Sequence, residues 1–87
     1  MIELEYAPKF LKKLDKLESS VRDEAVWRIE RFKNPRNHKA LRVHKLHGRF
    51  KDRYAFSITN KVRIIFRYEN PKFASILTID DHDVYKR

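Results

Sequence analysis

Hydrophobic and polar positions alternate at the start of the chain. Ile2, Leu4 and Tyr6 fall on one side of an extended segment, with a glutamate at each position between them. This period of two predicts a strand with one solvent-facing side. Pro8 follows directly, and proline suits the first turn of a helix. The pattern therefore predicts a strand that leads at once into a helix.

Two stripes of apolar residues at helical spacing come next. The second helix is predicted to begin at a Ser20 cap and to end at Asn34-Pro35, because proline disfavours helical geometry in the preceding residue. A connection of two or three residues between the helices indicates a helical hairpin. The stripes consist of Phe10, Leu14 and Leu17 in the first helix and Val21, Ala25, Ile29 and Phe32 in the second.

The period changes again near residue 41, where a short strand is expected to begin. Three further segments with strand character follow at 54–58, 62–68 and 73–79, separated by turn residues. In segment 62–68, alternate residues are predicted to face opposite sides of the sheet. The element order β-α-α-β-β-β predicts an α+β fold in which the helical hairpin packs on one face of an antiparallel sheet. The other face is then free to be basic.

Length and composition exclude several classes of protein. The chain has 87 residues, which corresponds to one domain spanning 1–87. It has no cysteine, which excludes a disulfide scaffold and thiolate metal sites. No apolar run is long enough to span a membrane, and the first residues do not resemble a signal peptide. We therefore expect a cytoplasmic protein.

Positive charge is concentrated in the middle of the chain. The formal net charge is +9, and residues 35–73 hold eleven of the 21 Lys and Arg but only two of the 12 Asp and Glu. A localised basic surface binds polyanions by releasing their counterions. The concentration of charge favours a polyanion or an acidic partner over a basic face that serves only solubility.

Three short motifs occur in order along these elements. They are the segment HKLHG at 44–48, the segment VRIIF at 62–66 and the segment DHDVYKR at 81–87. With this element order and length, the chain resembles the RelE/ParE superfamily of bacterial and archaeal toxins, the toxic halves of type II toxin–antitoxin pairs. The resemblance covers nearly the whole chain.

The resemblance implies a function and partners. RelE-like members are ribosome-dependent mRNA endonucleases, in which a ribose 2′-hydroxyl attacks the adjacent phosphate without a metal or another cofactor. Their partners are the ribosome, mRNA and a cognate antitoxin whose acidic segment wraps the toxin. A ParE-like member would instead poison DNA gyrase by binding and cleave nothing. A plain RNA-binding module is disfavoured, because the paired exposed aromatic residues of such modules are missing.

The resemblance also implies roles for individual residues. Arg63 opens the hairpin strand where RelE-like and YoeB-like toxins carry an arginine, and its planar guanidinium is suited to holding a phosphate. The alternative for Arg63 is an ion pair with Asp52 or Glu69. His82 follows the last strand and is a candidate acid or base, oriented by the aspartates on either side of it. The alternative for His82 is an exposed tail histidine.

Further candidates come from the same comparison. His44 matches a histidine of the YafQ-like motif and is a second candidate for proton transfer, or else a structural residue before a turn. Tyr85 is suited to stacking on a base or orienting the nucleophile, and equally to capping the core. The candidate contacts to the RNA backbone are Lys45, Arg49, Lys51, Arg53 and Lys61.

The sequence departs from the family pattern on one strand. Segment 54–58 has no lysine, arginine or histidine, whereas RelE-like, YoeB-like and YafQ-like relatives place one there. The candidate set is thus incomplete, and a hybrid set of His44, Arg63 and His82, a weak nuclease, or no nuclease all remain open. Trp27 lies off the apolar stripe of its helix. It is either an exposed anchor for the antitoxin on the helices or part of the core.

Overall fold

The computed structural model describes residues 1–48 and 51–81. Within these residues the chain forms five strands and two α-helices, with a short 3₁₀ turn after the second helix. No helix in this part of the chain has the length and apolar character needed to cross a membrane. The elements are β1 (Glu3–Tyr6), α1 (Pro8–Lys16), α2 (Ser19–Phe32), β2 (His44–Lys45), β3 (Tyr54–Ser57), β4 (Val62–Asn70) and β5 (Phe73–Asp81).

The five strands form one sheet in the order β1-β5-β4-β3-β2. Strands β2 to β5 pair antiparallel, as predicted, but β1 pairs parallel with β5. A tight hairpin fixes the direction of the strand that follows it. Strand β1 is separated from the rest of the sheet by two helices, so its sequence alone does not determine its direction. The sheet is therefore mixed rather than wholly antiparallel.

The predicted α+β architecture is confirmed, with the helices packed against one face of the sheet. The core between them is built around aromatic rings. Phe32 of α2 stacks on Phe56 of β3 with ring centroids 4.9 Å apart, and meets Phe66 of β4 edge-on at 4.7 Å. All three side chains are fully buried. Both predicted helical stripes contribute to this core, which holds the helical hairpin to the sheet.

The ends of α2 differ in how well the sequence predicts them. The helix begins at Ser19 after Glu18, with no side-chain cap, so the predicted cap at Ser20 is wrong. The Ser20 hydroxyl instead donates a 3.0 Å hydrogen bond to the Glu18 carboxylate. The predicted stop is confirmed, because Asn34 Oδ1 accepts a 3.1 Å hydrogen bond from the backbone N–H of Arg36 and caps the 3₁₀ turn.

The predicted hairpin turn between β3 and β4 is present. The Thr59 hydroxyl oxygen accepts hydrogen bonds from the backbone N–H groups of Lys61 and Val62, each 3.2 Å long. The short strand expected near residue 41 begins only at His44, because Arg42 adopts a left-handed conformation with φ 60°. Such a conformation interrupts the extended backbone that a strand needs.

The sheet face away from the helices carries charges of both signs. Arg67 on this face contacts the carboxylates of Asp52 at 4.0 Å and Glu69 at 3.0 Å. These two residues are the acidic residues of the basic segment 35–73. Around Arg67 the positive charge of this face is therefore locally neutralised.

Candidate functional site

Arg63 lies near the start of β4, on the sheet face away from the helices. Its neighbour Ile64 is fully buried in the core, and successive residues of a strand point to opposite faces. In the sheet register, Arg63 lies between Ser57 of β3 and Asp80 of β5. The alternation predicted for this strand thus places Arg63 on the sheet face away from the helices, which is called the open face below.

The guanidinium of Arg63 forms an ion pair across the two strands. Its Nε donates a 2.8 Å hydrogen bond to Oδ2 of Asp80. The side chains are 29% and 13% exposed, respectively, so the pair is partly shielded from water. The alternative partners expected from the sequence, Asp52 and Glu69, contact Arg67 instead.

Among the described residues, both members of the Arg63–Asp80 pair have hydrogen-bonding groups without a partner. Oδ1 of Asp80 is buried and has no hydrogen-bond partner within residues 1–48 and 51–81, and the same holds for the hydroxyl of Thr78 on the same strand. The Nη groups of Arg63 donate no hydrogen bond to a described residue either. A buried polar atom without a partner costs about 1–3 kcal/mol. The site is therefore polar and only partly satisfied.

A cavity of about 430 Å³ opens beside this pair. Its lining combines four cationic side chains with one carboxylate, over a floor of apolar residues. Charges that line a concave surface focus their field into it, so the cavity favours an anion. The charged lining residues are Lys9, Lys13, Arg53, Arg63 and Asp80, and the apolar ones are Leu46, Ile65, Leu77 and Ile79.

Helix α1 reaches the cavity because β1 is short. Strand β1 pairs with β5 only from Phe73 to Ile76. Beyond Ile76 the edge of β5 is flanked by α1 rather than by a strand, and this helix places Lys9 and Lys13 in the lining. Two cations of the site thus come from an element far away in sequence.

A second polar cluster lies further along the same face. The buried Ser75 hydroxyl lies 2.7 Å from Oε2 of Glu69 and 2.9 Å from Oε2 of Glu5. The hydrogen bond from Ser75, together with the bond from Arg67, holds the pKa of the Glu69 carboxyl below its ordinary value. None of these four residues lines the cavity, so the cluster is separate from the Arg63 site.

Comparison with known proteins identifies the fold. No protein-family model matches the sequence, and no curated protein does. Solved structures do match. YafQ from Escherichia coli has a TM-score of 0.70 at 12% identity, with 100% of both chains covered. The Escherichia coli RelBE toxin–antitoxin complex matches with a TM-score of 0.70 at 19% identity, and the match covers 93% of this chain and 96% of that one. The chain has the fold of the RelE-like toxins.

A third match has the same character. The conserved hypothetical protein HP0894 from Helicobacter pylori has a TM-score of 0.69 at 19% identity, covering 95% of this chain and 97% of that one. The fold implied by the sequence motifs is thus confirmed by structures that share few residues with this chain. At this level of identity the likeness shows the fold, and the contacts of this chain decide what its individual residues do.

His44 lies on β2, two strands away from Arg63. It pairs with Ala55, which in turn pairs with Ile65, so His44 shares the open face with Arg63. Nδ1 of His44 lies 2.7 Å from the carbonyl oxygen of Arg42. A carbonyl only accepts, so Nδ1 carries the hydrogen of this contact. His44 does not line the cavity.

Several predicted residues fall outside the described part of the chain. They are His82, Tyr85 and Arg49, and their roles remain predictions. Of the other predicted RNA contacts, Arg53 lines the cavity, whereas Lys51 and Lys61 are exposed outside it. Lys45 pairs with Tyr54, which packs against the core, so its register position is on the face opposite Arg63.

Sequence reasoning missed three residues of this cavity. Lys9 and Lys13 lie outside the predicted apolar stripe of the first helix, and no local pattern indicates that α1 lies beside the end of β5. The sequence did contain a signal for Asp80. The turn near Asn70 links β4 to β5, and counting residues from this turn indicates which residue of β5 lies opposite Arg63. The shifts in that register near Ile65 and Tyr68 make such counting unreliable.

The strand segment that lacks the cation of the family pattern has two different sides. Phe56 and Ile58 are at most 2% exposed and lie in the core. Ala55 and Ser57 pair with Ile65 and Arg63 on the open face, and neither side chain carries a charge. The additional positive charge of the cavity comes instead from α1 and from Arg53. The residues described here contain no group of three or more histidines and carboxylates arranged to hold a metal ion.

Proposed function

We propose that this chain is the toxin of a type II toxin–antitoxin system and acts in the cytoplasm as a ribosome-dependent mRNA endonuclease. The observation that carries this proposal is the position of Arg63. It lies in a basic cavity on the open face of a RelE-like fold, with α1 at the edge of the cavity. The size of the cavity, about 430 Å³, is in the range of sites that hold small molecules or single nucleotide units.

The proposed reaction uses the charges of the cavity. Arg63 holds the scissile phosphate through two N–H groups, a geometry that lysine cannot reproduce. Lys9, Lys13 and Arg53 neutralise the charge that grows on the phosphate as the 2′-hydroxyl attacks. His82 and His44 are the proposed groups for proton transfer, and Tyr85 is proposed to stack on a base.

The proposed partner besides the ribosome is an acidic antitoxin. A groove of about 150 Å³ between α1 and α2 is lined by apolar residues that include Leu11 and Val26. Both side chains are 49% exposed. Exposed apolar clusters of this kind mark protein interfaces, which supports the groove as the antitoxin site. Trp27 does not line the groove, but it is 54% exposed on the same helix, and its ring lies 4.7 Å from the guanidinium carbon of Arg31. It is proposed as a second anchor for the antitoxin.

The test is cleavage of mRNA on purified ribosomes under single-turnover conditions. R63K should reduce the rate by about 10²-fold or more. The lysine ammonium carries the same charge but lacks the planar pair of N–H groups that contacts the phosphate in the transition state. R67K is the matched control, since Arg67 lies on the same strand and face but outside the cavity. Equal rates for R63K and R67K would overturn the role of Arg63.

A second variant addresses proton transfer. H82A should lower the single-turnover rate with little change in ribosome affinity, because an acid or base acts on the chemical step. An equal loss of affinity and rate would mean that His82 only positions RNA. Binding and cleavage must therefore be measured separately in the same preparation.

A ParE-like toxin that poisons gyrase is the second candidate. The absence of a cation on β3 favours it, because a toxin that only binds its target needs no complete catalytic set. Gyrase supercoiling and toeprinting of ribosome-bound message after brief induction separate the two. Inhibited supercoiling with intact message would support the ParE-like function, whereas cleaved message with active gyrase would support the endonuclease.

A further inference from the structure

We propose that Asp80 is a catalytic residue that accepts the proton of the attacking 2′-hydroxyl. This inference rests on the proposed endonuclease function and deepens it. The Asp80 carboxylate lines the cavity and has no role in the proposed reaction so far. Asp80 is 13% exposed, contacts Arg63 at 2.8 Å and keeps one carboxylate oxygen without a hydrogen-bond partner among the described residues.

The geometry of a ribose–phosphate link requires the two groups to be neighbours. The 2′-oxygen attacks the phosphate attached to the 3′-oxygen of the same ribose, so the atom that loses a proton lies within a few bonds of the phosphate. The side chain that binds the phosphate and the side chain that takes the proton must therefore be adjacent. Arg63 and Asp80 satisfy this requirement because they face each other on β4 and β5.

The chemistry of the lining points to the same residue. A general base needs a lone pair that can accept a proton, and charged lysine and arginine side chains have none. Among the described residues that line the cavity, Asp80 is the one with a carboxylate or an imidazole. The groups that face it are Arg63 on β4, Arg53 before β3, and Lys9 and Lys13 on α1.

Binding of the substrate prepares Asp80 for this role. Before RNA binds, the Asp80 carboxylate accepts a hydrogen bond from Nε of Arg63. A phosphate that enters the cavity competes for the same guanidinium, and its charge makes it a strong acceptor. When the phosphate takes over this contact, Oδ2 of Asp80 loses its donor and becomes available to the neighbouring hydroxyl. The resting ion pair thus protects the base until a substrate replaces it.

The step is balanced without a metal or an additional cofactor. The proton of the 2′-hydroxyl moves to the Asp80 carboxylate, and the 2′-oxygen forms a bond to phosphorus. The bond between phosphorus and the 5′-oxygen of the next nucleotide breaks, and this oxygen takes a proton that is supplied by water or by the proton-transfer group of the proposed function. The products are a 2′,3′-cyclic phosphate and a 5′-hydroxyl end, and Asp80 then returns its proton to solvent.

The first experiment compares D80N with wild type for single-turnover cleavage and for affinity on ribosomes programmed with mRNA. The amide keeps the shape and an acceptor for Arg63 but is a far weaker base. Cleavage should fall by about 10²-fold or more, while affinity stays the same or rises because a competing negative charge is removed. D23N, an exposed change of the same kind on α2, should match wild type in both.

Two outcomes overturn the inference. Faster cleavage by D80N would mean that Asp80 only masks Arg63, and a parallel loss of affinity and rate would mean that it only shapes the site. Wild-type protein that cleaves no message would instead refute the endonuclease function itself. The two failures are therefore distinguishable within one set of measurements.

A second variant gives a readout that a structural role would not change. D80A removes the carboxylate and leaves space for a small one, so added formate should restore part of the lost cleavage in a concentration-dependent way. D80N should not respond, because its amide fills that space. Absence of rescue in D80A, with the variant folded as judged by circular dichroism, would count against Asp80 as the proton acceptor.

Discussion

Lys13 on α1 donates a 3.1 Å hydrogen bond from Nζ to the carbonyl oxygen of Ile79 on β5. Both Lys13 and Ile79 line the cavity, so this bond holds the lysine ammonium at the edge of the cavity formed by β5. It also satisfies a carbonyl at the edge of β5 that β1 is too short to reach. Helix α1 thus acts as the wall of the cavity on the side where the sheet lacks a neighbouring strand.

The cavity charge predicts a salt-dependent loss of RNA binding when Lys13 is changed. K13Q should weaken binding to single-stranded RNA and reduce the slope of log affinity against log salt concentration by about 0.7, the effect of one phosphate contact. K12Q is the control, because Lys12 is exposed on the same helix but does not line the cavity. Fluorescence anisotropy over a range of salt concentrations measures both. Identical slopes for the two variants would remove Lys13 from the binding site.

The aromatic core predicts a large loss of stability at Phe32. This ring is fully buried and contacts Phe56 and Phe66, so F32A should lower the free energy of unfolding by about 3–5 kcal/mol. V26A removes part of a side chain that is 49% exposed, and should change stability by less than about 0.5 kcal/mol. Urea denaturation followed by circular dichroism distinguishes them. Similar midpoints would show that the helical hairpin does not depend on this contact.

The lowered pKa of Glu69 predicts a pH-dependent contribution to stability. The hydrogen bonds from Ser75 and Arg67 favour the ionised carboxylate in the folded state. In the unfolded chain the glutamate has its ordinary pKa of about 4.3. The stabilisation is therefore fully present above that value and is lost as pH falls through the lower folded-state pKa. E69Q should be less stable than wild type at pH 7, and the difference should shrink below about pH 4. A constant difference across this range would contradict the linkage.

The apolar groove of α1 and α2 predicts where an antitoxin binds. V26D places a charge in the groove and should prevent neutralisation of the proposed toxin by its acidic antitoxin. S19D introduces the same charge at an exposed position of α2 outside the groove and should leave neutralisation intact. Growth after co-expression measures this effect, and affinity measured by calorimetry confirms it. Full neutralisation of V26D would place the antitoxin elsewhere.

Local sequence patterns predicted the elements well because each depends on neighbouring residues. The period of two in β4 placed Arg63 on the correct face, and the helical stripes identified the side of each helix that is buried. The partner of Arg63 was not predicted, because Asp80 comes from another strand and the register between them contains shifts. The direction of β1 and the position of Lys13 depend on how distant elements pack, which no local pattern contains.

The two edges of the sheet have a consequence for behaviour at high concentration. The outer strands are β1, with four residues, and β2, with two. An unpaired strand edge recruits other chains when it is long and flat, and short edges are a common protection against such pairing. Among the described residues, neither β1 nor β2 is a long template for strand addition between molecules. Short edges of this kind disfavour association through strand pairing, which leaves the exposed apolar groove of the helices as a surface for association.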